Sequence, residues 1–377
     1  MNDTPLTRLA SLGQSIWYDH IHRAMLNSGE LARLVADDDL RGVTSNPTIF
    51  EKAITGGDDY DQALAREASA NPHHSGREHF FALAIEDIRQ AADILRPVYA
   101  ATGGIDGMVS LEVAPDIAHD TQATIEEARA LHQRVDRPNV MIKVPATPAG
   151  IPAVEQLIND GISVNVTLLF SVERYHEAAL AYLRGLRQRL ARGDSVEQVQ
   201  SVASFFISRV DSLFDKLLDD CGDAGATLKG RVAIANARRA YRLYQTLFGR
   251  DDFAELKQAG ACPQRLLWAS TGTKNPDYSD VVYIENLIGP ETVNTVPPAT
   301  YQAFKDHGQV ANTLAGDISD AEAVFTALTQ LGVDVPGAMA QLEQEGVAAF
   351  ANSFENLLNS IEDKARQLNR SNASGTG

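Results

Sequence analysis

The sequence has few of the features that mark secreted, membrane or metal-binding proteins. Its two cysteines, Cys221 and Cys262, are too few and too far apart for a disulfide framework or a zinc motif. No apolar run approaches the roughly 18 residues of a transmembrane helix. The amino terminus lacks the positive region and apolar core of a signal peptide. We therefore expect a soluble, cytoplasmic protein that does not act on membranes.

Basic residues are also in deficit. The 377-residue chain has 33 lysines and arginines against 50 aspartates and glutamates, which gives a net charge of −17. Because no basic field is available to attract phosphate backbones, binding to nucleic acid or to an anionic membrane is disfavoured. A small anionic substrate stays compatible with this charge if a few basic residues gather in one pocket.

Short apolar segments rich in β-branched residues alternate with helical patterns along most of the chain. Eight of them are expected to be strands, at 15–19, 41–47, 108–113, 139–147, 162–170, 203–210, 265–270 and 293–296. Eight strand–helix repeats favour an α/β fold of the TIM (β/α)8 barrel type over its main competitor, a doubly wound open sheet. We expect one domain over residues 1–377, with a barrel core at about 15–300, additional helices, a helical C-terminal extension at about 301–365 and a disordered tail at 366–377.

The C-terminal extension has one apolar face. Apolar residues recur there at intervals of three and four positions, namely Val347, Phe350, Phe354, Leu357 and Ile361. This spacing places them on one side of a helix, which we expect to pack against the barrel.

Lys143 is the most unusual residue of the fourth predicted strand. It lies among apolar and β-branched residues in the run from Asn139 to Thr147. Lysine is rarely buried without a partner or a task, and removal from water favours the neutral amine that can attack a carbonyl and form a Schiff base. The alternative is a lysine at a strand end that extends its ammonium group to solvent.

Polar residues gather on one face of six successive predicted strands, toward their carboxyl ends. In chain order this face carries Asp19, Thr44, Asn46, Ser110, Glu112, Lys143, Asn165, Thr167, Ser204 and Ser208. Alternate residues of a barrel strand face the interior, and the carboxyl ends of the strands form the active site. A catalytic layer explains this concentration better than a structural polar layer does. Its carboxylates can exchange protons with a substrate, but they also favour the protonated lysine, and the sequence leaves that balance open.

Several stretches resemble the transaldolases, which are class I Schiff-base aldolases built on a TIM barrel. The resemblance runs from about residue 15 to 300 and depends on Gly42–Phe50, Ser110–Val113, Ile142–Thr147, Asn165–Ser171 and Ser204–Asp211. The runs Thr-Ser-Asn-Pro and Asn-x-Thr-Leu-Leu-Phe-Ser within them are highly specific. The segments 268–276 and 287–295 are similar to a longer subfamily that includes chains fused to glucose-6-phosphate isomerase.

The resemblance implies a role for each matching residue. Lys143 would form an imine with the ketose donor. Asp19 would take the proton of the C4 hydroxyl as the C3–C4 bond breaks and later return one, while Glu112 and Thr167 would hold the water of imine formation and hydrolysis. The substrate-binding candidates are Thr44, Asn46 and Asn165 for hydroxyl groups, Phe206 as a pocket wall, Ser204 and Arg209 for phosphate, and Ser270 and Lys274 after the seventh strand.

The position of Lys274 departs from the family pattern. Many transaldolases have a second phosphate-binding arginine after the seventh strand, and here Lys274 is the nearest basic residue. A lysine would bind phosphate as a point charge, with less geometric control than the planar fork of an arginine.

The implied activity is that of a transferase in the pentose phosphate pathway of carbohydrate metabolism. A transaldolase moves a dihydroxyacetone unit from sedoheptulose 7-phosphate to glyceraldehyde 3-phosphate and yields erythrose 4-phosphate and fructose 6-phosphate, with no cofactor and no metal. One alternative is a fructose-6-phosphate aldolase, in which a tyrosine commonly replaces the acid/base aspartate, so Asp19 argues for transfer. The other is a sugar-phosphate-binding barrel without catalysis. The sequence leaves the oligomeric state, including a homo-oligomer, open.

A group of histidines between two predicted helices could suggest a metal site. His73, His74, Glu78 and His79 lie in a polar loop and an early helix. Metal ligands are held in place by burial and by further hydrogen bonds, so we expect a solvated surface here instead.

Overall fold

Eight parallel strands form a closed barrel in the computed structural model, which describes residues 3–249 and 251–374. The strands are β1 (Gln14–Tyr18), β2 (Gly42–Val43), β3 (Met108–Glu112), β4 (Val140–Pro145), β5 (Val164–Leu169), β6 (Ser201–Phe206), β7 (Arg265–Ala269) and β8 (Thr292–Val296). Each strand pairs with its neighbours in chain order, and β8 pairs with β1 to close the barrel. The predicted TIM barrel is confirmed.

Helices surround the barrel and continue beyond its last strand. They are α1 (Pro5–Leu9), α2 (Arg23–Asn27), α3 (Glu30–Asp38), α4 (Pro47–Thr55), α5 (Asp61–Ala70), α6 (Gly76–Ala101), α7 (Thr121–Val135), α8 (Gly150–Asp160), α9 (Val172–Ala191), α10 (Ser208–Asp219), α11 (Gly222–Ala226), α12 (Val232–Phe248), α13 (Asp251–Gln258), α14 (Val282–Glu285), α15 (Pro298–His307), α16 (Ser319–Gln330) and α17 (Val335–Ser374). Short 3-10 turns lie at Ala10–Leu12 and Pro115–Ile117. None of the described helices is long and apolar enough to cross a membrane.

The segment after β2 shows how proline chemistry shapes the barrel mouth. Pro47 is the first residue of α4, and it keeps the preceding residue out of the helical region, so Asn46 is extended with φ −157° and ψ 169°. The Asn46 side chain then caps α4 by accepting a hydrogen bond from the Ile49 N–H at 2.9 Å. The predicted strand 41–47 is therefore only two residues long, and Thr44 follows it at the barrel mouth.

The predicted sixth strand, 203–210, is wrong at its carboxyl end. β6 ends at Phe206 and α10 begins at Ser208, because the backbone turns at Ile207, with φ −105° and ψ −75°. The N–H groups of Ile207 and Ser208 still bond to the carbonyl oxygens of Ala269 and Ser270. The apolar run through this junction concealed the change of structure. Ser208 is thus no member of the inward strand face, and Arg209 lies in the first turn of a helix.

The C-terminal helix α17 packs along the barrel mouth. Its predicted apolar stripe is buried, with Val347, Phe350, Phe354, Leu357 and Ile361 each at most 7% exposed. The helix contacts α4, α5, α6, α10 and β5. The helix continues to Ser374 and so includes much of the tail predicted to be disordered, whereas residues 375–377 lie outside the described residues.

The amino-terminal end of the barrel is closed by a buried ionic cluster around Asp106. Arg265, the first residue of β7, donates to Asp106 Oδ1 at 2.9 Å and to Ser15 Oγ at 2.9 Å. Ser15 Oγ donates to Asp106 Oδ2 at 2.7 Å, and Trp17 Nε1 lies 3.4 Å from Oδ1. Asp106 is 2% and Arg265 9% exposed, so the pair is removed from water.

Replacing Asp106 by asparagine is expected to destabilise the fold by about 3–5 kcal/mol, because it leaves the buried Arg265 without its counter-charge. Burial favours the protonated carboxyl, but Arg265 and the Ser15 hydrogen bond outweigh it and keep the pKa of Asp106 below its ordinary value. Because the pKa of Asp106 is lower in the folded than in the unfolded protein, its ionised carboxylate stabilises the fold at pH values above the unfolded pKa of about 4. This stabilisation is lost as the pH falls through the folded pKa.

Urea unfolding of wild type and Asp106→Asn at several pH values tests this prediction. The difference in free energy of unfolding between wild type and Asp106→Asn should have its largest value at pH 7 and should shrink as the pH falls below about 4. Asp3→Asn serves as the control, because Asp3 pairs with Arg8 on the exposed surface and surface pairs stabilise little. Equal stability of the Asp106 variant and wild type at pH 7 would contradict the prediction.

Candidate active site

A pocket opens where the carboxyl ends of the strands meet. Most of the side chains singled out from the sequence line it, namely Asp19, Thr44, Asn46, Lys143, Thr167, Ser204, Phe206, Arg209, Ser270 and Lys274. Glu112 and Asn165 lie immediately beneath as buried partners of lining residues. The polar strand face therefore converges on one cavity.

Lys143 points into the barrel and away from solvent. It lies beside Glu112 in the register of β3 and β4, while its strand neighbours Ile142 and Val144 occupy the opposite face. Its Nζ donates to the carbonyl oxygen of Ser45 at 2.9 Å and lies 3.1 Å from Glu112 Oε2, and the residue is only 4% exposed. The alternative of a strand-end lysine reaching into water does not apply.

Glu112 and Thr167 offer polar atoms that the protein leaves open. Burial raises the pKa of Glu112, although the Lys143 ammonium beside it acts in the opposite direction. Among the described residues, neither Glu112 Oε1 nor Thr167 Oγ1 has a hydrogen-bond partner. Buried polar atoms are normally paired, so these two are available to a ligand or to water.

Asp19 lies directly after β1, at the floor of the pocket. Its N–H bonds to the carbonyl oxygen of Val296 at 2.9 Å, and its Oδ1 accepts a hydrogen bond from Thr44 Oγ1 at 2.7 Å. Burial raises the pKa of Asp19, while the positive charge of Lys143 opposes this shift. Thr44 Oγ1 also lies 2.6 Å from Thr295 Oγ1. This contact holds Thr44 in place, and Thr44 in turn orients the carboxylate of Asp19.

Asn165 is held between two serines beneath the pocket surface. Its Nδ2 donates to Ser110 Oγ at 3.1 Å, and its Oδ1 accepts from Ser204 Oγ at 2.7 Å. Both amide atoms thus have one protein partner, and each keeps a second hydrogen-bonding position, because the NH2 group has two N–H donors and the oxygen has two lone pairs. Asn46, by contrast, lines the pocket and uses only Oδ1 in capping α4, so the cap leaves its Nδ2 donors unused.

Arg209 lies between two aromatic rings at the other side of the pocket. Its Cζ is 5.4 Å from the ring centroid of Phe206 and 5.7 Å from that of Phe350. Burial lowers the pKa of Arg209, against the attraction of Asp19 and Glu112. Within the described part of the chain, no residue accepts a hydrogen bond from its guanidinium or forms an ion pair with it. A partly buried cation with unused donors is suited to an anionic ligand.

Ser270 and Lys274 extend this side of the pocket after β7. Ser270 has a left-handed backbone with φ +56°, which is uncommon outside glycine and indicates a backbone constrained by its surroundings. Its Oγ lies 3.0 Å from Ser208 Oγ at the start of α10. Lys274 lines the pocket with an exposed side chain, in contrast to the partly buried Arg209.

The pocket also contains residues that sequence reasoning missed. Thr48 and Lys52 line it from one face of α4, Thr295 from β8, and Phe350 from α17. Sequence signals for three of them existed: the four-residue spacing of Thr48 and Lys52 within α4, and strand parity for Thr295 on the eighth strand. Phe350 was expected only to pack, because nothing in an amphipathic helix tells which part of the barrel it covers.

The histidines after α5 form a cluster that the sequence only partly anticipated. His79 is 5% exposed, so the prediction of a solvated surface is wrong for it, because α6 packs against α5 and brings His79 Nδ1 to 3.6 Å from Glu67 Oε1. Ligand atoms of Glu67, His74 and His79 lie within 4.8 Å of one another. Glu67 Oε1 already lies 2.8 Å from His74 Nδ1 and accepts from Asn71 Nδ2 at 3.0 Å. These hydrogen bonds account for Glu67 and His74, whereas the buried His79 Nδ1 has no hydrogen-bond partner among the described residues.

Comparison with known proteins gives one consistent result. The family model described as Transaldolase/Fructose-6-phosphate aldolase matches residues 16–361. The protein named Transaldolase 1 of Streptomyces coelicolor is 49% identical over 358 residues, which cover 94% of this chain and 93% of that protein. Transaldolase 2 of Nostoc punctiforme is 46% identical over 380 aligned positions, and the alignment covers 98% of this chain and 99% of that protein. The transaldolase of Saccharopolyspora erythraea is 47% identical over 365 residues, 96% of this chain and 98% of that protein. The chain belongs to the transaldolase/fructose-6-phosphate aldolase family.

Proposed function

We propose that this chain is a transaldolase of the pentose phosphate pathway that uses Lys143 as its nucleophile. The observation that carries the proposal is the buried Lys143 Nζ, 3.1 Å from Glu112, in a pocket that also contains Asp19 and the guanidinium of Arg209. A nucleophile, two carboxylates and an anion-binding cation are the groups that transfer of a ketol unit between sugar phosphates requires. Relatives named transaldolase at 46–49% identity support it.

Imine formation is assigned to Lys143 with Glu112 as its proton partner. The neutral Nζ attacks the C2 carbonyl of the ketose, and loss of water from the resulting carbinolamine gives a protonated imine. Glu112 is close enough to Nζ to accept its proton when the amine is needed and to return one to the departing hydroxyl. Thr167 Oγ1 and Glu112 Oε1, both without protein partners among the described residues, are the atoms that we assign to holding this water.

Cleavage of the C3–C4 bond is assigned to Asp19. The carboxylate takes the proton of the C4 hydroxyl, the bond electrons move into the iminium, and an aldehyde leaves while an enamine stays on Lys143. Transfer is the reverse of this step on a second aldehyde: the enamine carbon attacks its carbonyl, and Asp19 returns the proton to the new hydroxyl. Thr44 orients Asp19 throughout by its 2.7 Å hydrogen bond. Hydrolysis of the imine then frees Lys143.

The substrates are proposed to be sedoheptulose 7-phosphate and glyceraldehyde 3-phosphate, with erythrose 4-phosphate and fructose 6-phosphate as products. Arg209 is the leading phosphate ligand because its donors have no protein acceptor among the described residues. Ser204, Ser270 and Lys274 are assigned to the same end of the pocket, and Asn46 to the hydroxyls of the dihydroxyacetone unit. The cytoplasmic location stays a prediction.

A fructose-6-phosphate aldolase is the second candidate, since the matching family includes both activities. The two differ in the fate of the enamine, which is protonated in the aldolase and attacks an aldehyde in the transaldolase. The aspartate at position 19, fixed by Thr44, favours transfer. A sugar-phosphate-binding barrel without catalysis is disfavoured, because Lys143 lies inside the barrel next to a carboxylate.

Trapping the imine tests the proposed mechanism. We expect incubation with fructose 6-phosphate and borohydride to attach a reduced dihydroxyacetone unit to the peptide that contains Lys143, because reduction fixes the covalent intermediate. Peptide mass spectrometry locates the modification, and the peptides of Lys52 and Lys274 serve as internal controls from the same pocket. Labelling of another lysine, or of none, would reject Lys143 as the nucleophile.

Turnover with and without an aldehyde acceptor separates the two enzyme activities. With fructose 6-phosphate alone, a transaldolase should release little free dihydroxyacetone, and erythrose 4-phosphate should raise the rate strongly with formation of sedoheptulose 7-phosphate. Release of dihydroxyacetone at the same rate in both cases would identify the aldolase.

A further inference from the structure

The pocket end that contains Arg209 is built from two distant parts of the chain. Phe206 comes from the end of β6, next to Arg209 in sequence, and Phe350 comes from the C-terminal helix. The guanidinium lies within about 6 Å of both ring centroids, which is the range of a cation–π contact. Phe350 is 3% exposed and lines the pocket. The C-terminal helix therefore contributes directly to this end of the site.

Several contacts hold α17 in the position that presents Phe350. Thr48 Oγ1, on α4, donates to Ser353 Oγ at 2.9 Å, and Lys364 Nζ lies 2.5 Å from Asp61 Oδ1. One turn before Phe350, Gly346 lets the helix approach the end of β5, because a Cβ there would lie only 3.2 Å from Leu168 Cδ2. Contacts both before and after Phe350 along α17 thus hold the helix that carries its ring.

We propose that Phe350 is a positioning residue that holds the Arg209 guanidinium for the phosphate group of the sugar substrate. This inference rests on the proposed function and extends it to the C-terminal helix. Phe350 acts through Arg209, whose Cζ lies over its ring, and the phosphate binds to the guanidinium N–H groups, from which no described residue accepts a hydrogen bond.

Two aromatic rings suit this task better than a carboxylate would. A carboxylate would hold the arginine by the same N–H groups that bind phosphate, and it would also repel the anion. Aromatic rings attract the face of the guanidinium and use none of its N–H donors in conventional hydrogen bonds. Arg209 is accordingly restrained before substrate arrives, which lowers the entropy lost on binding.

Phe350→Leu removes the ring and keeps an apolar side chain, and Phe350→Tyr keeps the ring. For the leucine variant we expect about a fivefold to tenfold rise in KM for fructose 6-phosphate and in the inhibition constant of inorganic phosphate, the size of one cation–π contact. The expected change in kcat is less than twofold. The tyrosine variant should stay within about twofold of wild type in each constant. If the leucine variant fails to fold, Phe350→Met replaces it, because methionine adapts to irregular space.

Phe354→Leu is the matched control on the same helix. Phe354 lies one turn beyond Phe350 and packs against Phe80 at 5.5 Å and Phe81 at 6.4 Å between ring centroids. The substitution removes buried ring contacts of α17 without touching Arg209. We expect a lower midpoint of thermal unfolding but an unchanged inhibition constant for phosphate.

A double-mutant cycle with Arg209→Lys tests whether Phe350 acts through the arginine. Lysine keeps the charge but lacks the planar fork, so Phe350→Leu should change phosphate binding much less in the Arg209→Lys background than in wild type. Equal effects of Phe350→Leu in both backgrounds would overturn the inference. So would a fall in kcat alone, or an equal loss of phosphate affinity in Phe354→Leu.

Direct calorimetry with inorganic phosphate distinguishes this inference from the proposed function. If wild type binds phosphate and Phe350→Leu weakens that binding while no transfer is detected, the positioning role stands and the proposed activity fails. If transfer occurs but phosphate neither binds nor inhibits, or binds equally well to Phe350→Leu, the positioning role fails.

Discussion

Replacing Lys143 by methionine is expected to lower kcat roughly ten-thousand-fold or more, because bond cleavage depends on the imine and the other two lysines of the pocket, Lys52 and Lys274, are exposed. Methionine approximates the length of the lysine stem, so the pocket should keep its shape. Steady-state transfer from fructose 6-phosphate to erythrose 4-phosphate measures the loss. The borohydride label on this peptide should disappear in the same variant.

Lys229→Met is the control for the general effect of this substitution. Lys229 forms an exposed ion pair with Asp219, away from the pocket lining. We expect wild-type turnover and an intact label on Lys143 in that variant. If Lys143→Met kept more than about a hundredth of wild-type activity, the nucleophile would have to be another residue.

Removing Lys143 also changes the charge balance around Glu112. The glutamate is 5% exposed, and its Oε2 lies 3.1 Å from Nζ. Without the ammonium, burial acts on the carboxyl unopposed by its nearest cation, and the protonated form is favoured further. The variant is therefore expected to keep its fold, because Glu112 can take up a proton instead of remaining a buried unpaired charge, and this separates the loss of activity from a loss of structure. Circular dichroism of the two lysine variants checks this point.

The catalytic floor of the site could be predicted from the sequence because strands have a fixed period of two. Once Lys143 was assigned to the interior of β4, parity on the neighbouring strands assigned Glu112 and Thr167 to the same face, and closure of the barrel brought them together. The hydrogen bond from Lys143 to the carbonyl oxygen of Ser45 could not be found this way, since every residue has such an oxygen.

The phosphate end was less predictable because it is made by helices. Arg209 was expected near the end of a strand, and its place in the first turn of α10 depends on the backbone turn at Ile207, which a continuous apolar pattern does not indicate. Phe350 was identified as one member of an apolar stripe. Such a stripe predicts which face of α17 is buried, but it does not predict which element packs against that face. The path of that helix depends on contacts such as Thr48 with Ser353, between residues far apart in the chain.

Asp19→Asn is expected to lower kcat by about a hundredfold to ten-thousandfold while leaving the imine intact, because the amide cannot accept the C4 hydroxyl proton. Asparagine has the shape of aspartate, and its Oδ1 can still accept the hydrogen bond from Thr44. A borohydride label on Lys143 should therefore persist in a variant that no longer transfers, but as the adduct of uncleaved fructose 6-phosphate instead of the dihydroxyacetone unit. Loss of both label and turnover would instead assign Asp19 to imine formation.

The pH dependence of the wild type gives an independent test of Asp19. The residue must be ionised to accept a proton, and burial raises its pKa, so kcat/KM should fall on the acid side at a pH above the ordinary carboxyl value of about 4. In Asp19→Asn this acid limb should be lost or moved, since the titrating group is absent. Asp160→Asn, which alters a surface pair with Arg129, should keep the wild-type profile. An acid limb that is unchanged in Asp19→Asn would assign the ionisation to another group of the pocket, with Glu112 the nearest carboxyl to the nucleophile.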